Sequence, residues 1–218
     1  MEMMRSLTVP MKAEGLTSFK IQYDYRTDQF KTEFMKEWEP DFDWSQYNKT
    51  FYASSIMTED VKYYNTIETR KLFAKYGLED YLDEVEALIK SGKHFGIEGY
   101  YHEGYDILFM SHQHSRKLGI NNKSHATLTG GIRRHDKAEA EVDVIIDGLN
   151  LGRGMTYKNI AAKINMGGCK QTVTMDPVDL TNMKHIGFLG FCIDRIRVMT
   201  GPDMNFPTEL ADVENENF

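Results

Sequence analysis

Apolar and polar residues alternate with period two over Phe19-Lys20-Ile21-Gln22-Tyr23-Asp24-Tyr25, which predicts a half-buried strand. Residues 1–18 are mixed in character, contain Pro10 and Gly15, and predict an arm. Residues 28–60 gather Phe30, Phe34, Trp38, Phe42, Trp44, Tyr47, Phe51 and Tyr52 among acids, with Pro40 as an interruption. Because large aromatics chiefly supply buried area, this stretch predicts a short helix and a wrapping segment against the main domain or a neighbouring subunit. Helical spacing starts near Ile67. Leu78, Leu82, Val85 and Ile89 recur at i, i+4, i+7 and i+11, and Gly92 is placed to cap the end. A passage rich in glycine and tyrosine runs from Gly96 to Gly104. The continuous run Ile107-Leu108-Phe109-Met110 then predicts a strand covered on both faces.

Residues 115–135 read as a long connection. Val142, Ile145, Ile146 and Leu149 form one stripe of a helix over 137–151, and Gln171 to Met175 reads as a short strand. Asp176-Pro177 predicts a helix start, with Ile186, Leu189, Ile193 and Ile196 buried and an end near Thr200-Gly201. Alternating strands and helices predict an α/β architecture.

A chain of 218 residues with 41% hydrophobic and 27% charged side chains suits one large or two small soluble domains. Its net charge of -7 argues against nucleic acid or an anionic membrane as partner. Thirteen methionines, two cysteines and no apolar N-terminal run read as cytoplasmic, and no stretch is long enough to span a bilayer.

The candidate chemistry lies in Gly152-Arg153-Gly154-Met155-Thr156-Tyr157-Lys158 and Gly167-Gly168-Cys169-Lys170. Lys158 sits in a segment of helical spacing. Lys170 closes a glycine pair that leads into a β-branched run. A helix end, a glycine turn and a strand start bring both ammonium groups to one cleft, where mutual repulsion and desolvation favour a neutral, basic lysine. Taken singly, each lysine is more often a solvated surface charge. The glycines match neither of two phosphate-binding patterns. Cys169 precedes Lys170 and Gln171 follows it, which fails the P-loop pattern, and Tyr157 stands where a dinucleotide turn needs a third glycine. Two rival chemistries are open to neighbouring residues. His112 and His114 share a strand face, and His102, His125 and His135 are available as further metal ligands, but a metal is the weaker reading. Cys169, beside lysines, is a candidate low-pKa thiol without a histidine partner nearby in sequence.

The pattern RGMTYKN-x-AA-x(4)-GG-x-K resembles the signature of the Glu/Leu/Phe/Val amino-acid dehydrogenases, nearest the leucine and phenylalanine branch. Thr129-Gly130-Gly131-Ile132-Arg133 and Gly201-Pro202-Asp203-Met204 resemble two further motifs of that family in the same order, and the likeness covers roughly Tyr81 to Pro207. The resemblance implies an open, largely parallel mixed sheet flanked by helices over 81–218, with 1–80 as an N-terminal extension. It implies Lys158 as holder of the substrate carboxylate, Lys170 as general base and Asp203 as a second acid/base group. Gly130, Gly131, Thr129 and Met155 would line the substrate. Thr129 stands where the leucine branch has an apolar pocket residue, and Cys169 where a third glycine is usual. NAD or NADP would bind on a domain or partner absent from this chain, so the isolated chain is expected neither to bind it productively nor to turn over. A homo-oligomer is expected, with an amino acid or keto acid as ligand. A non-catalytic amino-acid-binding or oligomerisation module is the alternative.

Overall fold

The computed structural model describes residues 5–39, 41–47, 56–116, 128–177, 179, 181–196 and 198–199. Eight strands form one sheet: β1 (Ser18–Asp24), β2 (Gln29–Trp38), β3 (Met57–Tyr64), β4 (His94–His102), β5 (Ile107–His114), β6 (Leu128–His135), β7 (Gly167–Thr174) and β8 (Val198–Met199). Their order is β3-β2-β1-β4-β5-β7-β6-β8. The helices are α1 (Thr8–Glu14), α2 (Thr66–Lys75), α3 (Glu79–Ser91), α4 (Glu141–Ala161) and α5 (Met183–Arg195).

The chain forms the expected α/β fold with a mixed sheet and flanking helices. Its parallel part is narrower than "largely parallel" suggests. Only β6–β7 and β6–β8 run parallel, while the other five pairings are antiparallel. Short connections cause this, since tight links between β1 and β2 and between β4 and β5 can join only antiparallel neighbours. Parallel pairing needs a crossover, and α4 supplies it between β6 and β7. The expected extension, residues 1–80, contributes β1, β2 and β3 to this same sheet.

Several local expectations give way to tertiary pairing. Residues 29–38 form a strand rather than a helix, because the four-residue spacing of Phe30, Phe34 and Trp38 is even and also fits one strand face. A bulge between Lys36 and Trp38 breaks that face. Phe34 packs in one core and Trp38 in the other, as a one-residue shift requires. The Gly96–Gly104 passage lies mostly in β4, and the end of the 115–135 connection is β6. Helix α4 continues through Gly152 and Gly154 to Ala161, and Gly167 and Gly168 lie inside β7 rather than in a turn. Asn182, not Asp176, caps α5 by accepting from His185 N at 3.3 Å. Gly92 caps α3 as expected.

Two cores result. On one face, α1, α3 and α4 cover Phe19, Ile21, Ile97, Leu108 and Met110. On the other, Trp38, Trp44, Tyr100 and Phe109 pack against Phe188, Phe191 and Cys192 of α5. The 41–47 segment seats on α5 so closely that a Cβ on Gly187 would lie 1.8 Å from the Trp44 carbonyl oxygen.

Candidate active site

The site is built where α4 crosses β7. Gly148, Gly152 and Thr156 form a stripe of small residues at four-residue spacing on the buried side of α4. A Cβ on Gly148 would stand 2.4 Å from the His112 ring, and one on Gly152 would be 2.8 Å from the His112 carbonyl oxygen. Gly168 answers from the sheet, where a Cβ would lie 2.2 Å from Thr156 N and 2.4 Å from Gly152 O. Helix glycines cost about 0.5–1 kcal/mol each relative to alanine, and here they allow backbone-to-backbone approach.

Polar groups at the crossing are matched. Gly168 N donates to Thr156 Oγ1 at 2.8 Å. Thr156 Oγ1 also lies 2.8 Å from His114 Nδ1, and Ser115 Oγ lies 2.9 Å from the same nitrogen. Asn159 Nδ2 donates to Met166 O at 3.3 Å and Gly167 O at 3.0 Å, which ties the α4–β7 connection to the helix. The sequence reading missed Thr156 and Asn159, and weighed His114 only as a metal ligand. The signal was present as Thr156 and Asn159 at i, i+3 on the stripe that Gly148 and Gly152 begin.

Strand register places the expected site residues. Thr129 pairs with Gly168, and Gly131 with Lys170. His112 and His114 pair with Lys170 and Gly168 from the other side. Side chains opposite one another share a face, so Thr129, Gly131 and Lys170 all belong to the face that α4 covers. Lys170 is half-buried, Thr129 is buried and Met155 is half-buried. Lys158 is exposed on α4, two residues beyond Thr156, and Lys170 lies two residues beyond Gly168. The Gly168–Thr156 hydrogen bond therefore sits between the two lysine segments. Because α4 and β7 run in opposite directions, Lys170 is level with Gly152 and Lys158 is about 9 Å further along the helix axis. Asp203 lies outside the described residues, as does His125.

Two readings need correction. Gly130 faces away from Lys170: a Cβ there would meet Cys169 O at 1.8 Å and Cys169 Sγ at 2.7 Å, so this chain fills the space expected for substrate. Cys169 is not a reactive thiol. It is fully buried on the α5 side, and burial pushes its pKa up to about 12, against which the neighbouring Lys170 charge is the smaller effect.

The histidines serve the core. Burial pushes His112 down to about 3 and His94 down to about 4, so both are neutral, and His112 Nδ1 lies 3.1 Å from Lys170 O. Among the described residues no group of three or more His, Cys, Asp or Glu is arranged to hold a metal. At the far end of β6, Arg133 Nη1 and His135 Nε2 lie 3.1 and 3.3 Å from Asp147 of α4 and reinforce the crossover.

Residues 117–217 match the family model described as Glu/Leu/Phe/Val dehydrogenase, dimerisation domain. That segment belongs to the Glu/Leu/Phe/Val dehydrogenase family. Leucine dehydrogenase of Thermoactinomyces intermedius is 39% identical over 89 residues, covering 40% of this chain and 24% of that protein. Leucine dehydrogenase of Geobacillus stearothermophilus is 32% identical over 122 residues, covering 52% of this chain and 32% of that protein. The chain thus spans a quarter to a third of the length of these relatives. A crystal structure of L-tryptophan dehydrogenase from Nostoc punctiforme is 24% identical with a TM-score of 0.43, covering 56% of this chain and 35% of that one. The dehydrogenase-family segment begins after β5, so five strands of the sheet precede it.

A nicotinamide nucleotide does not fit the N-terminal end of α4. The parallel unit β6–α4–β7 has the topology of a dinucleotide fold, but the turn before α4 is His135-Asp136-Lys137-Ala138-Glu139-Ala140, without glycine. The first turn of α4 adds Glu141 and Asp143. A pyrophosphate there would meet carboxylates instead of free amides. No helix among the described residues is long and apolar enough to cross a membrane.

Proposed function

We propose that this chain is the substrate-binding and catalytic-lysine part of an NAD(P)-dependent amino-acid dehydrogenase, which deaminates an L-amino acid oxidatively or aminates a 2-keto acid reductively. The observation that carries the reading is the α4–β7 crossing. Its Gly168–Thr156 bond seats the helix that carries Lys158 on the strand that carries Lys170, and the two lysines stand in the family's motif order. Lys158, exposed and mobile on its four-carbon stem, offers a point charge to the α-carboxylate. Lys170, half-buried and paired across the sheet with Gly131, would take a proton from the substrate ammonium or from attacking water. Thr129 presents a hydroxyl on the same face, which favours a substrate side chain with some polarity over a purely aliphatic one. Asp203 is proposed as the second proton-carrying group. NAD or NADP, the expected hydride acceptor, would be held by residues other than those described, in a partner or a further domain. A homo-oligomer follows from the kind of domain that the segment represents.

Calorimetric titration with a panel of L-amino acids and 2-keto acids, with and without NADH or NADPH, tests the reading. One ligand class should bind the wild type, lose affinity in Lys158→Ala and keep it in Lys170→Ala. Equal affinity for all ligands in Lys158→Ala would refute the assignment. Loss of binding without any turnover in a reconstituted holoenzyme would point instead to a non-catalytic amino-acid-binding module.

A further inference from the structure

Where β1 ends, β4 begins and β5 ends, a groove of about 1260 Å³ runs from the β1–β2 hairpin to the last turns of α4. Tyr23, Tyr25, Phe30, Phe95, Tyr157 and Ile160 supply its apolar lining, and Lys158 and Lys170 do not line it. Tyr25, Tyr157 and Ile160 are 49%, 62% and 55% exposed. Three large side chains of one groove thus stand open to water, and clustered exposure of that kind marks an interaction surface.

The polar groups on the floor are already matched. His114 Nδ1 lies 2.8 Å from Thr156 Oγ1 and 2.9 Å from Ser115 Oγ, and Tyr25 Oη donates to His94 O at 2.9 Å. The floor therefore suits an apolar surface better than a hydrogen-bonding ligand. The charge around it is one-sided. Arg26, Lys31, Lys93 and Arg116 line the groove with one acid, Asp24. Arg26 is paired with Asp24 at 3.3 Å, and Lys31 with Glu33 at 2.9 Å. Lys93 and Arg116 have no carboxylate partner among the described residues, so two positive charges remain on a chain whose net charge is -7. Arg116 lies over the Phe95 ring at 5.1 Å, and stacking leaves the in-plane N–H groups of a guanidinium free.

The same groove of a second copy would bring like charges together. The acidic helix α3 of a second copy has Leu82, Val85 and Ile89 fully buried in its own core. A membrane needs apolar side chains that protrude, whereas these line a concavity. The volume exceeds the roughly 300–1,000 Å³ of small-molecule pockets. A helix fits such a groove, because it presents one apolar stripe with polar groups along its flanks.

We propose that this groove docks an amphipathic, acidic helix of a partner protein, with its apolar stripe on Phe95, Tyr157 and Ile160 and its carboxylates against Lys93 and Arg116. The inference stands on this groove alone and does not depend on the dehydrogenase reading.

The test titrates the full chain with a synthetic helical peptide of about 18 residues, with Leu at i, i+3, i+4 and i+7 on one face and Glu elsewhere. Calorimetry should give saturable binding with a Kd of about 100 μM or tighter that weakens as salt rises. In ¹H–¹⁵N spectra the Phe95, Ser115, Tyr157 and Ile160 amides should shift together. Ile160→Glu, an exposed change, should weaken binding at least about tenfold, and Lys93→Glu at least about threefold, with circular dichroism checking that each variant remains folded. A peptide with Lys in place of every Glu should bind at least about tenfold more weakly. Absence of saturable binding, equal affinity for the two peptides, or unchanged affinity in Ile160→Glu would each overturn the proposal. Binding to anionic phospholipid vesicles, or dimerisation by light scattering, that is lost in Ile160→Glu would also overturn it, by assigning the face to a membrane or to a second copy.

Discussion

Replacing Gly168 by alanine tests the whole arrangement of the site. The new Cβ would fall 2.2 Å from Thr156 N, 2.4 Å from Gly152 O and 2.7 Å from Met155 C. All three are backbone atoms of a 21-residue helix, so no side chain can swing aside. The helix has to lift, which stretches the 2.8 Å bond from Gly168 N to Thr156 Oγ1 and opens the packing around His112. Overpacking of a core costs about 1–3 kcal/mol, occasionally more, and a weakened buried hydrogen bond adds about 1 kcal/mol. We expect about 2–4 kcal/mol in total. For a domain of this size, that lowers Tm by roughly 4–16 °C. Gly154→Ala is the control, because its Cβ meets nothing within 4 Å. It should leave stability unchanged or raise it by about 0.5–1 kcal/mol through helix propensity. Urea unfolding followed by circular dichroism measures both. If Gly168→Ala stays within about 0.5 kcal/mol of wild type, α4 is not seated on β7 in this way, and the juxtaposition of the two lysine segments falls with it.

In any assembly with activity, Lys170→Ala should reduce turnover by about 10²–10⁴ with the fold intact; near-normal kcat/KM at neutral pH would remove Lys170 from the role of base. Thr156→Val should cost about 1–3 kcal/mol, because Gly168 N is left without its buried acceptor while His114 Nδ1 keeps Ser115 Oγ; an unchanged urea midpoint would contradict this. Cys169, held at about 12 by burial, should resist thiol reagents at pH 8 in the folded protein and react once urea is added, and fast labelling of the native state would show that it is accessible. His112, pushed down to about 3, and His94 and His102, each pushed down to about 4, are neutral when folded, against an ordinary value of 6.5. Their unfolded forms take up protons below about 6.5, so the stabilisation is complete above that pH and declines as pH falls towards 4–3. For His112 alone the loss at pH 5 approaches about 2 kcal/mol, and a urea midpoint that does not fall between pH 7.5 and 5 would refute it.

The residue pattern by itself determined the elements whose stabilising contacts are local. β1 shows in its alternation, β5 in its unbroken apolar run, and α3 in its i, i+4 stripe and Gly92 cap. The likeness of the C-terminal half to the dehydrogenase family was equally legible, because GMTYKN, the Gly167-Gly168 pair and Thr129 to Arg133 stand in a fixed linear order. Other features depended on partners distant in sequence. Phe30, Phe34 and Trp38 suit a helix or a strand equally, and only pairing with β1 and β3 makes them a strand. Gly96, Gly99 and Gly130 weaken strand propensity, yet neighbouring strands fill the space a side chain would need, as Ile21, Phe19 and Cys169 do. Gly148, Gly152 and Gly168 look in sequence like loop or ligand-contact residues. In three dimensions they are where a helix and a strand touch, and backbone approach of that kind leaves no mark on hydrophobic periodicity. Cys169 shows the same limit. Adjacency to Lys170 suggested an activated thiol, but alternation along β7 turns the two side chains to opposite faces, and burial rather than the neighbouring charge decides its pKa.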